Sequence, residues 1–366
     1  MFLAIKEMIK EKARFGLIIS IFVLISYLVF FLMSLAYGLA SDNKTAIEDF
    51  GARSLVVEKG SNNNLQASDM DKDPLVEKLK SHDYALMNLA RSAAYKNENE
   101  DKDSTINIAL IGLEDGSKAG PDLIDGRKIE ENSEIIASQS LRDVEGLNLG
   151  DKIKLSANDR VYEIVGFTKD LKYNVSPVVY TKLAEASSAA MIYQADSESS
   201  ATAAEIPERV SGALILDDKP VDIDGPYETI AISDFIKELP GYTAQLLTFG
   251  LMIGFLIVIA AIVLGVFLYI ITIQKAETFG VMKVQGISNA YIGRSVIVQT
   301  LIVSLTGLIL GLALSYLTEY FLPAAVPFRS KPTYYLAISL AIILSSQLGA
   351  LFSVRSVAKV DPLDVI

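Results

Sequence analysis

The chain has 366 residues, 51% of them hydrophobic, and its formal net charge of −11 makes nucleic acid an unexpected partner. The absence of cysteine removes disulfides, thiolate metal sites and thiol catalysis. The single histidine, His82, limits any Ser-His arrangement to one place, and its polar neighbourhood predicts an ordinary surface residue.

Residues 1–16 place Phe2, Ile5, Met8 and Ile9 on one side and Lys6, Glu7, Lys10 and Glu11 on another. This predicts an amphipathic helix on the cytoplasmic face, the alternative being a plain basic tail. Residues 17–39 carry no charge. At ~1.5 Å rise per residue this run reaches roughly 34 Å, enough to cross a hydrocarbon core of about 30 Å. It is also longer than the apolar part of a cleaved leader, roughly 7–15 residues, and so predicts a retained first span.

Residues 40–241 predict an extracytoplasmic α+β domain. Its strands are expected at Ser54–Glu58, Ile106–Ile111, Glu134–Ala137, Leu149–Leu155, Tyr162–Phe167 and Val175–Tyr180, with a Gly-Asp turn at Gly150-Asp151 opening a hairpin. Helices are expected after Asp73-Pro74, over Ser138–Glu145 and over Asp234–Glu238, while Ser187–Glu205 reads as a surface excursion. Residues 242–273 predict a second span, longer than a bilayer needs and therefore tilted or projecting. Then follow a cytoplasmic loop at 274–291, a third span at 292–317, an outer loop at 318–333, a fourth span at 334–353 and a tail at 354–366. The fold class is thus an α-helical membrane protein with four transmembrane helices, one plus three, and a large α+β domain between the first and second.

Lys6, Lys10, Lys12, Arg14, Lys275, Lys283, Arg294, Arg355 and Lys359 gather on one side of this layout, with Arg329 and Lys331 as exceptions. The positive-inside rule makes that side cytoplasmic, so both termini are expected inside a multi-pass cell-membrane protein and residues 41–241 outside. That segment holds 22 basic and 38 acidic residues.

No Gly-x-Ser-x-Gly, His-Glu-x-x-His or P-loop pattern occurs, so the chain is not read as an enzyme. Any ATP hydrolysis would fall to a separate subunit. The inner connection mixes Phe279, Val281, Met282 and Val284 with Lys275, Glu277 and Lys283, which suits a short helix pressing on a partner; a solvated linker is the alternative.

In layout and in Lys275, Glu277, Phe279, Gly280, Lys283, Gly286 and Ser288, the chain resembles the FtsX-like permeases of MacB-type ABC transporters. Residues Val354–Leu363 are similar to that family's ending. The N-terminal stretch, with Arg14-Phe15-Gly16-Leu17 and Leu35-Ala36-Tyr37-Gly38-Leu39-Ala40, is similar to the haem-exporting permeases of Gram-positive bacteria. The resemblance implies a homodimer working with an ABC ATPase, ATP used through that partner, no intrinsic cofactor, and haem as the transported ligand. It implies ATPase coupling by Glu277, Phe279, Gly280, Lys283 and Gly286.

A porphyrin needs a flat apolar slot, an axial ligand and polar groups for its propionates. With His82 outside the membrane, Met, Tyr and carboxylate remain as ligand types. Tyr27, Phe30, Met33 and Tyr37 recur at three- and four-residue intervals, Glu238 and Tyr242 are four apart, and Met252 lies further in. Met33 and Glu238 are the candidate haem-iron ligands, Tyr37 and Tyr242 their supports, with Tyr27 and Met252 nearby. The alternative is packing against lipid and an interfacial aromatic belt. Gly250-x-x-x-Gly254 and Gly307-x-x-x-Gly311 permit close helix contact. A second functional class stays open: a transmitter that regulates a cell-wall hydrolase, or an exporter of a peptide or lipid.

Overall fold

The computed structural model describes residues 2–96, 105–192, 208–219, 221, 223–274 and 276–358. It opens with α1 (Phe2–Lys10), α2 (Lys12–Asp49), β1 (Ser54–Glu58), β2 (Met70–Asp71), α3 (Lys72–Leu79), β3 (Tyr84–Lys96), β4 (Thr105–Leu113), β5 (Leu123–Gly126) and β6 (Glu134–Ser138). It continues with α4 (Gln139–Asp143), β7 (Lys152–Leu155), β8 (Val161–Thr168), β9 (Lys172–Tyr173), β10 (Ser176–Lys182), α5 (Leu183–Ile192), β11 (Arg209–Val210), β12 (Gly212–Ile215) and β13 (Tyr227–Ala231). It closes with α6 (Ile232–Glu238), α7 (Tyr242–Gln274), α8 (Ala276–Val284), α9 (Asn289–Phe321) and α10 (Pro332–Ala358). Two compact units result, residues 1–38 with 245–366, and residues 39–244.

The second unit is built on a mixed sheet ordered β13-β1-β12-β3-β4-β10-β6-β8-β5. Because β7 pairs with both β3 and β8, the path β3-β4-β10-β6-β8-β7 closes on itself as a small barrel. Its apolar filling includes Leu110, Ile135, Ile153, Leu155, Tyr162, Ile164, Phe167 and Val179. A second cluster joins Ile111, Val178 and Tyr180 of the strands to Ala46, Ile47 and Phe50 at the end of α2 and to Phe235 and Ile236 of α6. The β7–β8 hairpin forms after Gly150 (φ 84°), where the Gly-Asp turn was expected.

Several expected bounds shift. The amphipathic segment expected at 1–16 ends as a helix at Lys10, and Lys12–Gly16 belongs to α2. That helix runs on ten residues past Leu39, because Ala46, Ile47 and Phe50 bury apolar surface in the outer unit. His82 is half-buried, with Nδ1 3.4 Å from Asp217 Oδ1, rather than an ordinary surface residue. β3, the longest strand, had no counterpart in the sequence reading. Residues 193–205 of the expected excursion lie outside the described residues.

In the first unit, α2, α7, α9 and α10 are each long and apolar enough to cross a membrane. With one before and three after the α+β unit, the chain has the architecture expected of it.

Candidate functional site

Close approach of α2 and α9 is set by small residues. A Cβ at Gly307 would come within 2.5 Å of the Phe22 ring, and one at Gly311 would strike Ser26. The Ser26 hydroxyl lies 2.9 Å from Gly307 O and 2.8 Å from Phe22 O, so its proton is shared between the neighbouring helix and its own. Gly265 of α7 and Gly349 of α10 likewise meet backbone to backbone.

At one end of this unit the segment after α9 lies on α2. A side chain at Gly38 would collide with the Pro327 carbonyl, and Arg329 N–H donates to Ser34 O at 3.2 Å. The Tyr335 hydroxyl is surrounded by those of Ser34, Ser315 (2.9 Å) and Ser330 (2.8 Å), and its ring packs on Phe30 at 5.0 Å. In an apolar bundle such a hydroxyl cluster satisfies polar groups that lipid cannot.

The residues expected to meet haem divide between the units. Tyr27 donates to or accepts from Thr318 Oγ1 at 3.0 Å and lines a cavity of about 430 Å³ with Leu314, Leu317, Thr318, Phe321 and Leu322. Met33 is half-buried against the helical core. Tyr37 meets Tyr334 edge-on at 5.3 Å, and the Lys331 ammonium lies 5.1 Å from its ring. Met252 is 44% exposed on α7. In the outer unit, Glu238 is exposed and accepts from Asn63 Nδ2, while Tyr242 is buried with Phe235, Ile236 and Leu239.

The two Gly-x-x-x-Gly motifs have different fates. Gly307 and Gly311 are used within the chain, whereas among the described residues nothing lies within 4 Å of where a Cβ of Gly250 or Gly254 would stand. Only 12% of the apolar window of α7 is buried, against 44% in α9, so α7 is the least covered of the four membrane-length helices among the described residues.

The inner connection contains α8 and a defined turn. Gly286 sits at φ 86° and donates to Lys283 O at 2.9 Å, while Ile287 donates to Met282 O at 3.0 Å. These bonds form a Schellman cap, and Met282 and Ile287 complete it by packing together with Ile292. Ser288 then caps α9, its hydroxyl accepting from Tyr291 N–H at 3.3 Å. Of the expected coupling residues, Gly280 is buried in α8, Lys283 is half-buried there, and Gly286 makes the turn. The side chains of Glu277 and Phe279 lie outside the described residues. Sequence reasoning gave no site role to Lys331, Tyr334 and Tyr335, which meet Tyr37, Ser34 and Phe30 of the distant α2.

Residues 250–362, from the second span to the tail, match the family described as "FtsX-like permease C-terminal". Over that stretch the chain is similar to FtsX-like permeases. Over their full lengths, the chain is 27% identical to the "Putative hemin transport system permease protein HrtB" of one Staphylococcus epidermidis strain, covering 100% of this chain and 98% of that protein. A Staphylococcus haemolyticus protein of the same name is 25% identical with the same coverage. Among solved structures, the periplasmic region of MacB from Actinobacillus actinomycetemcomitans aligns at 12% identity and TM-score 0.33, covering 51% of this chain and 92% of that one. The extracellular domain of the ABC-type transporter YknZ from Gram-positive bacteria aligns at 14% identity and TM-score 0.32, covering 48% and 99%.

Proposed function

We propose that this chain is the permease subunit of an ATP-driven exporter that expels haem from the cell membrane as a homodimer, powered by a separate ABC ATPase. The observation that carries this reading is the likeness, end to end, to relatives named for hemin transport. Both termini and α8 are cytoplasmic in it, and the α+β unit faces outward.

The uncovered α7 face supports a second copy, since Gly250 and Gly254 leave room for a helix to approach. The capped turn at Gly286 supports α8 as the ATPase contact, because a push on α8 reaches α9 without being lost in a slack linker. Met33 and Glu238 bind the haem iron in this proposal, with Tyr37, Tyr242, Tyr27 and Met252 around them.

The test is copurification from the native membrane followed by ATPase assay with and without haemin. An ABC ATPase that accompanies the chain and turns over faster with haemin supports the reading. Assembly with an ATPase that ignores haemin but responds to another amphiphile removes haem as cargo, and assembly with a cell-wall hydrolase without transport favours the transmitter.

A further inference from the structure

Lys331 stands immediately before α10, with its ammonium 5.1 Å from the Tyr37 ring and 4.9 Å from the Tyr334 ring. The two rings meet edge-on at 5.3 Å and so form one corner around the cation. No carboxylate or other hydrogen-bond acceptor of the described residues pairs with this ammonium, whereas lysines of the outer unit such as Lys72, Lys96, Lys172 and Lys182 are all in ion pairs. Its place also runs against helix electrostatics: a cation before the first turn adds to the positive end of the α10 dipole.

The corner is held in place by the contacts around it. Arg329 N–H bonds Ser34 O, Gly38 takes the Pro327 carbonyl against its backbone, and Tyr335 anchors the first turn of α10 through Ser34, Ser315 and Ser330. Ring faces attract the ammonium but accept none of its protons, and they displace part of its water. What remains is a fixed, partly dehydrated cation at the end of a bundle of membrane-length helices.

We propose that Lys331, oriented by Tyr37 and Tyr334, is a binding site for the anionic end of a membrane amphiphile. An oxyanion at this end would satisfy the three N–H donors and offset both the lysine charge and the helix terminus. Two sources carry that chemistry, a phospholipid phosphate and the carboxylates of an amphiphilic cargo. The site rests on the bundle spanning a membrane and is independent of whether haem is exported.

The full chain is tested in two arms. In the first, its affinity for phosphatidylglycerol and for phosphatidylcholine is compared in mixed micelles for the wild type, Lys331→Gln, Lys331→Arg and Tyr334→Leu. In the second, haemin and its dimethyl ester are titrated against the same proteins in phosphatidylcholine. A site for lipid phosphate gives a wild-type preference for phosphatidylglycerol that falls about five-fold in Lys331→Gln and is kept in Lys331→Arg. A site for cargo carboxylates gives a similar loss for haemin but none for the ester. Tyr334→Leu keeps the charge and removes half of the corner, so an intermediate loss is expected. The proposal is overturned if Lys331→Gln and Tyr334→Leu, with melting points near wild type, change neither arm. It is equally overturned if the variants lose affinity for phosphatidylcholine and ester to the same extent as for the anionic probes. Neither of these outcomes touches the ATPase test of the export reading.

Discussion

Asp42 and Lys172 form an ion pair at 2.6 Å with side chains only 2% and 13% exposed, joining α2 to the β9–β10 hairpin within the outer unit. The same hairpin donates Asn174 N–H to Asn43 O and Val175 N–H to Asp42 O, both at 3.0 Å, and Lys172 N–H reaches Thr45 Oγ1 at 2.8 Å. Removing one partner of a buried pair strands the other charge. Asp42→Ala is expected to destabilise the outer unit by about 3 kcal/mol, and Asp42→Leu combined with Lys172→Met to recover most of the loss. Denaturant midpoints of the full chain decide this; a double variant as weak as the single one would show that the pair stabilises beyond its charge balance.

The two glycine motifs make opposite predictions. Gly311→Ala drives a methyl group into Ser26 and should lower the thermal midpoint, at a cost of about 1–3 kcal/mol. Gly250→Ala and Gly254→Ala meet nothing among the described residues and should leave the monomer's melting unchanged while weakening self-association. Crosslinking yield across protein concentrations separates the two effects.

How much of this was legible in the sequence depends on how local the cause is. The spans are legible because uncharged runs of this length have few other homes, and β7–β8 because a Gly-Asp turn at Gly150-Asp151 leads into two alternating stretches. β3 was not: Tyr84–Lys96 is rich in Ala and has no Val, Ile or Thr, and burial on both faces erases the alternation that marks a strand. The continuation of α2 was hidden because polarity from Ser41 onward marks the end of a membrane run, not of a helix. At the site, three- and four-residue spacing could group Tyr27, Met33 and Tyr37 on one helix, but the partners of Tyr27 and Tyr37 are Thr318, Lys331 and Tyr334. Such distant pairings leave no trace in local periodicity.

In the export reading proposed above, coupling to an ATPase should be separable from cargo binding. Glu277→Ala or Phe279→Ala is expected to abolish haemin-stimulated ATP hydrolysis while leaving the haemin spectrum intact. Gly286→Val should also uncouple, since a β-branched residue resists φ 86° and the cap would open. A variant that loses the spectrum as well would make this connection structural.

Haem ligation by Met33 and Glu238 predicts that Met33→Ala and Glu238→Ala each shift or weaken the Soret band of the haemin complex. Tyr27→Phe keeps its ring and loses only the contact to Thr318, so its spectrum should match wild type. Unchanged spectra in both ligand variants would remove them from the iron.

The outer unit should also respond to acid through Glu134. Its carboxylate is held down to about 2, from an ordinary 4.5, first by the Arg127 guanidinium and then by the Glu131 and Glu130 N–H groups, against the opposing effect of burial. A depressed carboxylate contributes stability above its unfolded value, and that contribution is lost as pH falls from 4.5 through about 2. Melting profiles between these limits should fall less steeply in Glu134→Gln than in wild type.

The meeting of Gly38 with the Pro327 carbonyl bears on which parts can move. With a carbonyl seated against bare backbone at one end and Gly307 and Gly311 seated against Phe22 and Ser26 further along, α2 cannot turn about its axis without being lifted off α9. These helices therefore behave as a splined shaft in its socket, and α10 joins them through Tyr335. α7, the least covered of the four among the described residues, has its own seat on α10, where Gly265 and Gly349 let the two backbones touch.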